Sequence, residues 1–394
     1  MSPSLSLARE RAVVASLSLG EIVSWGILYY AFGVMVTPMQ AELGWSQAWL
    51  GAGFSLALLA SALLALPVGR WLERHGPRGL MSVGSAAGAL LLLGWARVET
   101  PLGFLALCLA LGFPLASTLY EAAFSAVVGL IHDERRRSLS LLVLTLVAGL
   151  ASTVWVPLAQ ALVDAHGWRA ALRILALVLA ALTVPMYAVV LPGRVADGPG
   201  SARAAPAPGA ALARRPLLAT GAAFGLSTLA GTALGLFLVP LLLERGHAPS
   251  IAATASAVFG AGQVLGRIAF TALRRRLSLA TWSHLLFSPG ALGLAALALG
   301  SSDALLWTGV TLFAFASGAQ TLARPAWTLE LFELASFARA NGALGAWSLI
   351  GRAAAPLALG VAHDLCGSYR PALLVLALLF AGAGGLARLA LARP

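Results

Sequence analysis

Apolar runs of the length a helix needs to cross a bilayer, about 20 residues, recur twelve times along this chain, at 12–38, 47–68, 79–97, 102–130, 139–163, 170–191, 217–243, 250–273, 280–300, 304–330, 338–362 and 371–391. With 59% hydrophobic and 10% charged residues, too little polar surface remains to coat a soluble globule of 394 residues. The bilayer is the solvent, and the predicted fold class is an all-α membrane protein of twelve transmembrane helices. Small residues within the runs, such as Gly51, Gly53, Gly84 and Gly88, suit the close helix contacts that membranes favour.

The second half of the chain echoes the first. Pro38, Glu42 and Gly44 in P-M-Q-A-E-L-G return as Pro240, Glu244 and Gly246 in P-L-L-L-E-R-G. In the same order, Glu73-Arg74 answers to Arg275-Arg276, T-L-Y-E-A-A-F at 118–124 to T-L-A-R-P-A-W at 321–327, and Arg169 to Arg370. A repeat this long is no solenoid unit; it is the pattern of a transporter built from two related six-helix halves. The predicted boundaries are an N-terminal bundle at 1–191, a Pro, Gly, Ala and Ser-rich cytoplasmic linker at 192–216, and a C-terminal bundle at 217–394.

All 26 basic residues are arginine, and their placement sets an orientation. With the N-terminus inside, eighteen fall in cytoplasmic segments, five in outer loops and three within spans. Topology therefore accounts for the net charge of +11, and no nucleic-acid partner is implied. The absence of lysine excludes a Walker A loop and Schiff-base chemistry, so ATP hydrolysis within this polypeptide is not the energy source. Cys108 and Cys366 offer neither metal spacing nor a disulfide framework, and six scattered histidines form no metal site. No catalytic pair stands at usable spacing, so neither an enzyme nor a cofactor is expected. Arg9 and Arg11 precede an apolar stretch like a signal peptide, yet Glu21 interrupts it and its length is that of a full span, so it reads as the first helix.

The turn after the second run, Gly69-Arg70-Trp71-Leu72-Glu73-Arg74-His75-Gly76-Pro77-Arg78, resembles the G-x-x-x-D-R-x-G-R-R signature of the major facilitator superfamily. Gly69, Glu73, Arg74, Gly76 and Arg78 carry the likeness; Glu73 stands for the usual Asp and Pro77 for an Arg. In that reading Gly69 lets helices pack tightly, and the acid at 73 holds one gated state. Within the superfamily the chain is similar to the branch of monocarboxylate transporters and oxalate/formate antiporters. Tyr29-Tyr30-Ala31-Phe32 is like that branch's S-Y-A-F, Tyr120-Glu121-Ala122 like its Y-x-P, and Pro157-Leu158 with Gly167-Trp168-Arg169 like its P-L and G-W-R. Gln263 and Arg267, one helical turn apart, fall where such carriers have an acid followed by a substrate-binding arginine; Arg352 falls near the second cation of oxalate-type carriers. Gln263 departs from the acid, and Val34 stands near the position where some monocarboxylate carriers have a lysine.

Charges inside spans cost about 2.5–3.5 kcal/mol each on insertion scales, so they mark cavities or partners. Glu21 and Glu121 lie in the N-terminal half, and Arg267, Arg324 and Arg352 in the C-terminal half. This partition predicts a carboxylate held by Arg267 and Arg352, with Gln263, Tyr120 and Tyr30 as further contacts, and a proton taken up by Glu21 or Glu121. Arg324, the repeat counterpart of Glu121, is open to substrate contact or to a gate salt bridge with it. Structural ion pairing, snorkelling and aromatic packing remain open for each of these residues. The expected protein is a monomeric secondary transporter of small organic anions in a bacterial inner membrane, coupled to protons, with both termini cytoplasmic. The alternatives are a proton-coupled exporter of drugs or metabolites, whose G-x-x-x-G-P signature is missing around Val147–Thr153, and a receptor or scaffold that kept the fold.

Overall fold

The computed structural model describes residues 6–131, 133–193, 214–274, 276–300, 302–332 and 337–391; at 73, 325, 329, 337–339 and 391 it describes the backbone alone. The central part of the linker and Arg275 lie outside the described residues. Each of the twelve apolar runs is helical, and among the described residues twelve helices are long and apolar enough to span a membrane. They are α1 (Leu7–Leu43), α2 (Gln47–His75), α3 (Pro77–Trp95), α4 (Pro101–Leu130), α5 (Glu134–His166) and α6 (Trp168–Val190), then α7 (Arg214–Glu244), α8 (Pro249–Leu273), α9 (Leu279–Leu299), α10 (Asp303–Leu331), α11 (Phe337–Cys366) and α12 (Arg370–Leu391). Large apolar side chains such as Leu63, Leu66, Leu90, Val189 and Leu378 are more than two-thirds exposed. In water so many would be a liability, whereas lipid tails are as apolar as they are.

Among the described residues, three spans are interrupted. In α1 the α-helix Leu7–Ser24 widens to a π-helix over Trp25–Tyr30 and resumes at Ala31–Leu43. In α4, Pro114 lacks an N–H, and the hydroxyls of Ser117 and Thr118 bond back to the carbonyls of Phe113 and Pro114, both at 2.7 Å. The helix breaks at Leu119, whose ψ of −173° is extended, and restarts as Tyr120–Leu130. The break puts Glu121 in the first turn of a new helix, where the N-terminal dipole favours a carboxylate. α5 breaks at Gly149-Leu150 between Ala148 and Ala151.

The chain folds into two compact units: residues 1–45 with 56–203, and residues 46–55 with 204–394. The first ten residues from Ser46, including the start of α2, therefore belong to the second unit. In unit 1, α3 lies against α6 and α4, and α1 to α6 share a core that includes Val13, Leu17, Leu72, Met81, Val127, Leu144 and Tyr187. In unit 2, α7 lies along α11, α8 along α10, and α9 against α10 and α12. Successive rings Phe259, Phe313, Phe380, Phe287, Trp327 and Phe224, with centroids 5.3–6.4 Å apart, thread these helices together.

The echoed residues of the repeat close corresponding corners. At the end of α1, Glu42 accepts from Arg169 Nε at 2.7 Å and Trp168 Nε1 at 2.6 Å, at the start of α6. At the end of α7, Glu244 accepts from the backbone N–H of Tyr369 at 3.3 Å and lies 3.1 Å from His363 Nε2. Gly44 and Gly246 end their helices at φ of 69° and 78°, where a side chain is strained.

In the signature loop, Gly76 has a φ of 76° and begins α3, so the turn itself calls for glycine. Arg78 Nε donates to the carbonyl of Leu191 at 2.6 Å, tying α3 to the end of α6. A Cβ at Gly69 would meet nothing within 4 Å among the described residues. The side chain of Glu73 lies outside what is described. Gly51, Gly84 and Gly88 do mark close contacts, with a Cβ falling 2.3 Å from Pro356 O, 2.1 Å from Ser117 Oγ and 3.1 Å from Leu28 Cδ2.

Candidate functional site

Glu21 is fully buried in unit 1. One oxygen, Oε2, accepts from Trp25 Nε1 at 2.8 Å, one turn along α1, and the other has no hydrogen-bond partner among the described residues. An ionised carboxylate in that setting is a buried charge without a counterion, which costs several kcal/mol; a carboxylic acid is far better tolerated. Two aromatic side chains wall α1 on either side of it. Tyr187 of α6 fills the notch at Gly20, where a Cβ would fall 1.8 Å from its hydroxyl oxygen, and Trp155 of α5 the notch at Gly26, where a Cβ would fall 2.1 Å from its ring. Glu121 of α4 lies close enough for its charge to act on Glu21.

Trp25 is also the first residue of the π-helix, and from it runs a continuous aromatic cluster. Its ring lies 4.9 Å from Tyr29 and 5.0 Å from Tyr120; Tyr29 meets Tyr30 at 5.0 Å, and Tyr120 stacks on Phe124 at 5.1 Å. The cluster is where the structure places Tyr30 and Tyr120, each partly exposed. A π-helix costs hydrogen-bond quality and persists mostly at functional positions. Glu121, expected among the buried charges, is exposed instead, while Ala122 and Ala123 beside it are buried.

In unit 2 the i, i+4 pair on α8 meets an i, i+4 pair on α10. Gln263 Nε2 donates to Ser317 Oγ at 3.1 Å, and Arg267 Nε donates to Thr321 Oγ1 at 3.3 Å. The ladder is close because both helices carry glycine there: a Cβ at Gly266 would fall 2.1 Å from Phe315 O, and one at Gly318 2.0 Å from Gln263 O. Arg267 is only 5% exposed, and the Nε bond leaves its planar fork fixed in orientation rather than snorkelling to the surface. Arg324, one turn past Thr321, and Arg352 of α11 are partly buried. Arg324 Nη1 lies 3.7 Å from where Gly345 of α11 would carry a Cβ, so α8, α10 and α11 bring three guanidinium-bearing positions into one unit.

Ser317, Thr321 and Trp25 belong to these sites although sequence reasoning did not single them out. Trp25 carried a signal, its i+4 spacing from Glu21. Ser317 and Thr321 carried the same spacing as Gln263 and Arg267, but only the rotation of α10 about its axis brings the two pairs face to face.

The major facilitator superfamily model matches residues 17–356. Among solved structures, a bacterial homologue of the human lysosomal transporter Spinster, in an inward-facing and unoccupied conformation, is 16% identical, with 98% of each chain covered and a TM-score of 0.77. The nucleoside transporter NupG is 17% identical, with 98% of this chain and 100% of that one covered and a TM-score of 0.73. At these identities the likeness concerns the fold alone. No curated protein is significantly similar in sequence. With the family model spanning most of a twelve-helix chain whose halves repeat, this protein belongs to the major facilitator superfamily.

Proposed function

We propose that the protein is a secondary active transporter of small organic anions, coupled to protons, and not an enzyme. The observation that carries this reading is the partition of charge within the spans. Unit 1 holds Glu21 with one carboxyl oxygen unpartnered and out of water, while unit 2 holds Arg267 fixed on the ladder of Gln263, Ser317 and Thr321. A guanidinium presents parallel N–H donors that match a carboxylate, and a buried carboxyl is suited to load and release a proton. Arg352 supplies a second cation in the same unit, and the finer resemblance to monocarboxylate carriers agrees with this chemistry. The multi-pass chain is placed in a bacterial inner membrane with both termini cytoplasmic, as the arginine distribution favours.

Thermal stabilisation of the detergent-purified protein against carboxylates, sugars, nucleosides and cationic drugs tests the reading, run on wild type and Arg267→Gln. Ligand at a hundred times its Kd adds about 2.7 kcal/mol to the native state. Stabilisation by a carboxylate that disappears in Arg267→Gln is the expected result; stabilisation of both proteins alike overturns the role of Arg267.

A second reading, a proton-coupled exporter of cationic drugs or metabolites, is favoured by one observation. The rings of Trp25, Tyr29, Tyr30 and Tyr120 lie beside Glu21 and Glu121, and aromatic faces with acids attract organic cations. Stabilisation by cationic drugs alone selects it.

A further inference from the structure

The corner of unit 2 that corresponds to the Arg169–Glu42 clasp of unit 1 has been rebuilt around a histidine. V-D-A-H-G-W-R at 163–169 aligns with H-D-L-C-G-S-Y-R at 363–370 across one inserted residue. Asp364 and Gly367 thus answer to Asp164 and Gly167, and Gly167 and Gly367 both have left-handed φ, 78° and 67°. His363 stands where unit 1 has Val163. In unit 1 the glutamate closing the first helix of the repeat is held by an arginine, a permanent cation. In unit 2 Arg370 is exposed, and Glu244 is approached by His363 instead, with Nε2 at 3.1 Å.

The other face of that imidazole looks toward Asp364, whose Oδ1 lies 3.6 Å from Nδ1, within ion-pair reach but too far for a hydrogen bond. Asp364 in turn caps α2. Its carboxylate accepts from the backbone N–H of Gln47 at 3.1 Å and of Ala48 at 2.8 Å, two of the donors a helix N-terminus leaves open. Tyr369, its ring tilted by 43° against that of His363 with centroids 4.5 Å apart, donates its hydroxyl to Gln47 Oε1, and burial pushes its phenol up so that it remains a donor. Below the cap the contact is backbone against backbone. A Cβ at Gly360 would lie 2.4 Å from Gln47 O, one at Gly51 2.3 Å from Pro356 O, and Leu357 N donates to Ser55 Oγ at 2.9 Å. Residues 46–55 are therefore zipped onto α11, with the histidine behind the cap.

We propose that His363 is a proton-controlled latch for this segment, tight when the imidazole is charged and loosened when it is neutral. An imidazolium donates from both nitrogens and can serve Glu244 and Asp364 together; a neutral ring has one N–H. When that N–H goes to Glu244, Nδ1 turns a lone pair on Asp364, and the carboxylate that caps Gln47 and Ala48 loses the cation behind it. The groups facing the ring are Glu244 from α7, Asp364 from its own helix and the Tyr369 phenol; Arg245, beside Glu244, and Arg370, which acts on Arg245, add positive charge at the same end. Histidine is the side chain whose ordinary charge change falls between pH 5 and 8, so that interval is where the latch is tested. The inference is independent of what the protein carries.

Hydrogen exchange of the full-length protein in nanodiscs, followed on peptides covering residues 46–55 at about pH 5.5 and about pH 8 and corrected for intrinsic rates, reads the latch directly. Wild type should lose protection on the order of two- to five-fold at the higher pH, the size of one surface-exposed charge contact. His363→Val, which copies unit 1, should give the low-protection value at both pH values, and His363→Arg the high one. Peptides from 168–190 serve as the control for global folding. A wild-type protection that ignores pH, or a pH step that survives in either variant, overturns the proposal.

Discussion

Replacing Glu21 by glutamine removes its charge and keeps its shape, and so separates packing from proton handling. The carboxamide oxygen of the replacement can still accept from Trp25 Nε1, so we expect Glu21→Gln to melt within a few degrees of wild type or higher, as a buried carboxyl no longer needs a proton to be tolerated. Proton-driven accumulation of substrate should be abolished while exchange of substrate across the membrane persists. Loss of both activities together would assign Glu21 to binding or folding. Glu21→Ala, by contrast, opens a cavity in a fully buried site and should cost about 2–4 kcal/mol in a thermal or denaturant melt. Arg267→Lys keeps charge but loses the fork, so carboxylate affinity should fall at least tenfold, close to the loss in Arg267→Gln. Both residues were legible from the sequence because a charge inside an apolar run is costly. Exposure was not: Glu121 sits in the same kind of run yet is exposed beside the buried Ala122 and Ala123, because the face of the restarted helix it occupies is set by packing that hydropathy does not record.

At the scale of elements, the approach of α8 and α10 is what sets Arg267. A methyl at Gly318 would fall 2.0 Å from the Gln263 carbonyl, a backbone atom that cannot swing aside. Gly318→Ala should therefore cost about 1–3 kcal/mol and weaken ligand stabilisation by displacing the ladder that holds Arg267; equal stabilisation in the variant and wild type would show the ladder to be irrelevant to binding. The N-terminus of α5 carries a pH-dependent cap. The Asp133 carboxyl is held below its usual range, first by the backbone N–H of Arg136 and then by that residue's charge. Its contribution is present above the unfolded-state pKa, about 3.9, and is lost as pH falls through the lower folded value. Exchange of the Arg136 amide should rise in that acidic window, and Asp133→Asn, which still caps, should abolish the pH dependence. All twelve helices were readable from hydropathy, since runs of span length admit little else. The π-helix Trp25–Tyr30 was not, because it contains no proline and its single glycine is common in spans; its register is set by what packs on it, Trp155 and the aromatic cluster.

For the whole molecule, the repeat told more than fold class. Glu42 and Arg169, singled out as echoes of Glu244 and Arg370, prove to be partners across unit 1, so the spacing recorded a contact. Its counterpart in unit 2 was hidden by the inserted residue near Ser368, which shifts Arg370 and hands the glutamate to His363. Orientation rests on arginine counts, and the two native cysteines can check it. Cys366 is exposed and Cys108 buried, so an impermeant maleimide added to intact cells should label the protein at Cys366 if both termini are cytoplasmic; labelling only after the membrane is opened would invert the topology.

Movement of an anion together with protons is the function proposed for this member of the superfamily. Its most direct test is uptake of a radiolabelled carboxylate, chosen by thermal stabilisation, into proteoliposomes under an inward proton gradient. Accumulation should collapse with a protonophore, vanish in Arg267→Gln, and in Glu21→Gln give way to exchange without accumulation. Accumulation that survives the protonophore, or persists in Arg267→Gln, would contradict it.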